Sequence, residues 1–163
     1  MRRITALLGL FTLISLLVIA GGCDKAPKDT AKVAPPKKEH DHPDTGPHGG
    51  PFAEWGEEKY HVEFTVDHEK KAATVYVLGP DAKTHKAIPS KELLLALKTK
   101  PPILITLKPD PQADMGDKDG NSSRFVGTHE ELGKKVDFEG TISGEVGKSP
   151  FTGDFKEGAK HPH

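Results

Sequence analysis

His48-Gly49-Gly50 and, further along, His61-Val62-Glu63 are the residues of this chain whose types and spacing best suit chemistry. Two imidazoles and a carboxylate form a donor set for a borderline divalent cation: Zn²⁺ first, with Ni²⁺, Co²⁺ and Cu²⁺ close behind. On an extended strand, residues i and i+2 point to the same side, about 7 Å apart. His61 and Glu63 would therefore project from one face. Gly49 and Gly50 let the backbone bend sharply, which would carry His48 over that face. The expected metal ligands are His48, His61 and Glu63, with His40 and His42 as supplementary ligands. Cu⁺ fits poorly, because Met115 is the only methionine after Met1 and soft sulfur is otherwise confined to Cys23. The plain alternative is that His61 and Glu63 form the solvated face of an amphipathic strand.

Other features are less suited to chemistry. His68, His85 and His129 fall in turn-like stretches, and His161 and His163 close the chain. Asp117-Lys118-Asp119-Gly120-Asn121 has the look of a calcium loop, but such a loop needs glycine sixth and glutamate twelfth. Here glycine is fourth and Thr128 twelfth, so the stretch reads as a turn. No nucleophile elbow, phosphate-cradling glycine loop or His-Glu-x-x-His is present, and the chain reads as a non-enzyme.

The elements that must position these side chains are strands. Tyr60, Val62, Phe64 and Val66 alternate with polar residues, as a strand with one apolar face does. Ala73, Val75 and Val77 repeat the pattern after a turn at residues 67–70, and Gly79-Pro80-Asp81 signals another turn. Ile103 to Leu107 is rich in β-branched residues between prolines. Val136, Phe138, Ile142 and Val146 fall on even positions, with Gly140 and Gly144 in register. Residues 90–98 fit either a short helix or, through Leu93, Leu95 and Leu97, a strand; the strand is preferred because its neighbours are strands. Residues 109–122 read as a long loop. The expected fold is all-β: an antiparallel β-sandwich or open barrel over residues 48–157.

The N-terminus sets the compartment. Met1-Arg2-Arg3 is basic, Ile4 to Ala20 carries no charge, and Ala20-Gly21-Gly22 precedes the single cysteine, Cys23. That is the layout of a secretory signal over residues 1–22. Its end resembles the lipobox of bacterial lipoproteins, which implies acylation of Cys23 and a membrane anchor. An uncleaved transmembrane anchor or an ordinary secreted protein are the alternatives. Residues 23–47 are rich in proline and charge and read as a flexible linker; residues 158–163 read as a disordered tail. Loss of Arg2 and Arg3 takes the formal charge from −1 to −3. No clustered basic face appears, so nucleic acid is not an expected partner. The localisation expected is the cell envelope, facing the periplasm or exterior.

Pro47-His48-Gly49-Gly50, with Tyr60-His61-Val62-Glu63-Phe64-Thr65-Val66, resembles a small β-domain associated with periplasmic heavy-metal resistance. Related segments occur in adaptor subunits of heavy-metal efflux pumps. The resemblance continues through Tyr76-Val77-Leu78 and Phe151-Thr152-Gly153-Asp154-Phe155, covering roughly residues 46–157. The chain lacks the long coiled-coil hairpin and lipoyl-like segments of a full adaptor. The resemblance therefore implies a free-standing metal-binding module that buffers an ion or delivers it to an efflux transporter. The competing expectation is a tethered β-sandwich that binds another envelope protein without a metal site.

Overall fold

In the computed structural model, residues 45–158 are described. The signal segment 1–22, Cys23, the linker through residue 44 with His40 and His42, and the end of the chain from residue 159 lie outside the described residues. Eight strands form: β1 Phe52–Trp55, β2 Tyr60–Asp67, β3 Ala72–Leu78, β4 Leu93–Leu97, β5 Ile103–Pro109, β6 Arg124–Thr128, β7 Glu139–Val146 and β8 Ser149–Lys156. They make one sheet in the order β1-β2-β3-β6-β5-β4-β7-β8, antiparallel at every join. The two ends of this order, β1 and β8, lie against each other. The expected all-β antiparallel architecture is thus found as one nearly closed, barrel-like sheet. The ambiguous leucine run is strand β4, with Leu93, Leu95 and Leu97 buried and Leu94 facing out.

Period-two patterning builds the interior. Val62 and Phe64 of β2, Val75 and Val77 of β3, Ile105 of β5 and Ile142 of β7 all point inward and are buried. Phe64 stacks on Phe155 with ring centres 4.4 Å apart, and Phe125 fills the same core. Each fully buried side chain of this size stabilises the fold by roughly 1.5–3 kcal/mol. At the seam, Trp55 stacks on Phe151 and donates from Nε1 to the Ile142 carbonyl at 3.2 Å. Gly144 makes room for it: a Cβ there would stand 3.0 Å from the indole and would overlap Leu93.

Two sequence expectations need correction. Val136 does not belong to the β7 register. It precedes the strand and is 54 % exposed, because pairing with β4 and β8 begins only at Glu139 and Gly140. The outer face of β2 is not solvated either. Residues 60–64 are buried on both faces, because residues 45–51 fold across the outside of the strand. That segment is a tight turn, closed by Gly46 N–H donating to the Gly50 carbonyl (2.8 Å) and Gly49 N–H to the Gly46 carbonyl (2.9 Å). It is pinned to β2 where Phe64 N–H donates to the Pro51 carbonyl at 3.0 Å.

Candidate functional site

Strand register places the site residues. Across the outer face, Phe52 of β1, Glu63 of β2, Tyr76 of β3 and Arg124 of β6 stand side by side. In the next row, Glu54, His61 and Leu78 are partners, and the returning chain adds His85 beside Leu78. The 45–51 turn covers the first row and the 79–88 loop borders the second.

Glu63 is the pin of the first turn, and its side chain is 0 % exposed. Oε1 accepts from His48 N–H (2.8 Å) and Gly50 N–H (2.9 Å). Oε2 lies 2.8 Å from His48 Nδ1. A carboxylate only accepts, so the neutral His48 ring carries its proton on Nδ1 and its lone pair on Nε2. Gly46 is required by this close approach: a Cβ there would collide with the Glu63 carboxyl group. Gly49 has φ +82°, the left-handed conformation that favours glycine. The expected bend at Gly49-Gly50 therefore exists, and it delivers His48 to Glu63.

Beyond the carboxylate, the His48 ring stacks flat on Tyr76, with centres 3.6 Å apart and planes 6° off parallel. The ring is held from the edge by Glu63 and from below by Tyr76, while the side chain keeps 25 % of its surface exposed. His85 approaches it edge-on, with ring centres 5.2 Å apart and planes at 62°. His85 itself is half-buried. Its Nδ1 is shielded from solvent, and no group among the described residues hydrogen-bonds to it. Hiding such a nitrogen unsatisfied costs about 1–3 kcal/mol. Burial holds the His85 imidazole below its usual pKa range. The nearby His48 ring adds to the shift, while Asp117, Glu63 and Asp114 oppose it.

The loop that carries His85 is fixed. Asp81 accepts from Lys83 N–H (3.1 Å), Thr84 N–H (2.9 Å) and the Thr84 hydroxyl (2.5 Å). These bonds, led by the hydroxyl, pull its carboxyl pKa from 3.8 to about 2. Gly79 N–H donates to the Thr84 carbonyl and Lys86 N–H to the Val77 carbonyl, so the chain returns alongside β3.

His61 lies two residues before Glu63 on the same outer face of β2, as the spacing suggested. Its Nδ1 donates to the Gly79 carbonyl at 3.1 Å, and Phe52 packs edge-on against its ring at 5.6 Å. It is two strands from His85 in its row, a separation of about 10 Å. The structure thus brings His48 and Glu63 into direct contact and places His61 in the neighbouring row of the same face. Among the described residues, no group of three or more His, Cys, Asp or Glu is arranged to hold a metal ion. Glu63 is committed to the turn rather than presented outward. The Asp117 turn is likewise structural: its buried carboxylate accepts from Gln112 N–H and Ser123 N–H.

Two residues of the cluster were not evident from sequence. Tyr76 shares its strand face with Thr74 and Leu78 and faces Glu63 only through the β2–β3 register. His85 follows a turn signal at Gly79-Pro80-Asp81, but its neighbour His48 lies 37 positions upstream. No family model, curated protein or solved structure matches the chain.

Proposed function

We propose that this chain is a cell-envelope lipoprotein whose β-domain captures a divalent transition metal ion, Zn²⁺ or a close relative, with His48 as its primary ligand. The observation that carries the reading is the Glu63–His48 pair. Imidazoles that bind metal characteristically donate their other ring N–H to a carboxylate or carbonyl, which fixes the tautomer and raises the ligand's basicity. His48 has this arrangement, with Nδ1 on a fully buried carboxylate and a partly exposed ring. His61 also has an anchored Nδ1, but so has His68, which donates to the Leu132 carbonyl. The carbonyl-bound pattern therefore does not single out a ligand; the carboxylate-bound one does. Glu63 acts as the group that orients His48 rather than as a third ligand.

When bound, the ion would be exchangeable. Structural zinc sites are closed by four protein ligands, and this site offers fewer. Buffering, or passing the ion to an efflux transporter, suits such a site. The basic-apolar-small-Cys23 sequence supports acylation and tethering, and the proline-rich stretch before the turn, residues 24–44, would supply reach from a bilayer. No observation favours a catalytic role.

A second reading retains one specific support. Leu94 and Leu104 lie on the outer face of the β4–β5 pair and are 36 % and 63 % exposed. Such a face is where a tethered interaction module would meet another envelope protein. Equilibrium dialysis of the full-length protein against Zn²⁺, Ni²⁺, Co²⁺, Mg²⁺ and Ca²⁺ separates the two. The metal reading expects saturable uptake of the first three and none of the last two. Absence of saturable uptake of any transition ion leaves the interaction reading.

A further inference from the structure

We infer that His85 is the second protein ligand of the site, so that one divalent transition metal ion is held between Nε2 of His48 and the ring of His85. The inference rests on the metal-capture reading above and adds a ligand that neither the sequence motif nor the resemblance contains.

Two features support it. The first is separation. Two imidazoles on one tetrahedral ion, with metal–nitrogen bonds of about 2.0 Å, place their ring centres roughly 5 Å apart. The His48 and His85 centres are 5.2 Å apart. The second is the state of the donor atoms. His48 Nδ1 is taken by Glu63, leaving Nε2 as the donor. His85 Nδ1 is shielded and has no hydrogen-bond partner among the described residues. A coordinate bond satisfies such an atom.

The elements on either side hold both rings still. Tyr76 lies flat under His48, the Glu63 carboxylate locks its edge, and the Asp81-stapled loop fixes His85 beside Leu78. Preorganised ligands lose little freedom on binding, which raises affinity without adding donors. Two borderline nitrogen donors and no thiolate select Zn²⁺, Co²⁺, Ni²⁺ or Cu²⁺ over Mg²⁺ and Ca²⁺. The remaining coordination positions fall to water or to an incoming donor from a transfer partner.

The test is a Zn²⁺ titration of the full-length protein carrying ¹⁵N-labelled histidine, read from the ring nitrogen resonances, with His48→Ala and His85→Ala alongside. The expected result is that the first equivalent of Zn²⁺ shifts the His48 and His85 resonances together, with one midpoint. His85→Ala should weaken that event at least tenfold. If His48 shifts while His85 stays still in the wild type, His85 is no ligand and only the metal-capture reading survives. If neither ring responds, both fall. The wild-type spectrum decides the matter even if a variant proves unstable.

Discussion

Nδ1 of His48 rests 2.8 Å from Oε2 of Glu63, a carboxylate that solvent does not reach. The same carboxylate accepts from two backbone N–H groups of the turn that carries His48. One side chain therefore both folds the turn and sets the tautomer of the imidazole above it. Removing it strands three donors. Glu63→Ala should cost about 3 kcal/mol of stability, because buried donors left unpaired lose their full desolvation energy. Glu63→Gln keeps an acceptor oxygen and should cost about 1 kcal/mol. Urea denaturation measures both; equal, negligible costs would show that the turn does not depend on the carboxylate.

The two glycines after His48 should differ sharply. A Cβ on Gly49 meets nothing within 4 Å, so Gly49→Ala suffers only from its left-handed backbone, a cost of about 1–2 kcal/mol. A Cβ on Gly50 would overlap the Phe64 carbonyl of β2, and rigid backbone cannot step aside. Gly50→Ala should cost about 3 kcal/mol and displace His48 from Tyr76. Thermal unfolding ranks the pair, and the reverse order would contradict the packing of the turn on β2.

Acid should act on the loop that holds His85. Asp81 has a folded-state pKa of about 2, against an ordinary 3.8, through its bonds to Thr84 and Lys83. As pH falls, the unfolded chain takes up this proton first. The contribution of Asp81 is therefore complete above about pH 4 and is lost as pH falls through about 2. Carboxyl-carbon NMR should give Asp81 a midpoint near 2, and Asp81→Asn should remove this part of the acid sensitivity. A midpoint at the ordinary value would mean that the loop is not stapled in this way.

Anchoring is tested at the other end of the chain. Cys23→Ser should abolish incorporation of radiolabelled palmitate and leave an uncleaved precursor or a released soluble form. Equal labelling of wild type and variant would remove the lipoprotein assignment.

Much of the barrel was legible because burial of one face imposes period two. Tyr60 to Val66 shows that period plainly, whereas Leu93 to Leu97 also fits a short helix and reads as strand only from its neighbours. Alternation says nothing of what covers the other face: the 45–51 turn lies over Glu63, and Gly79 and Phe52 lie against His61. Val136 matched the even-position pattern by coincidence, since a period cannot mark where strand pairing starts. The bend at Gly49-Gly50 and the meeting of His48 with Glu63 followed from local backbone freedom. His85 did not, because its place beside Leu78 depends on how the 79–88 loop returns along β3. Tyr76 required the β2–β3 register, which sequence alone does not supply.

Calorimetric titration of Zn²⁺ into the full-length protein, His48→Ala, and the double variant His40→Ala/His42→Ala tests the central claim most directly. If the Glu63-oriented imidazole is the primary ligand, His48→Ala loses most of the affinity and the double variant binds like wild type. If His48→Ala binds like wild type while the double variant loses binding, the ion is held by the histidines of the linker, and the Glu63–His48 pair serves only to fold the turn.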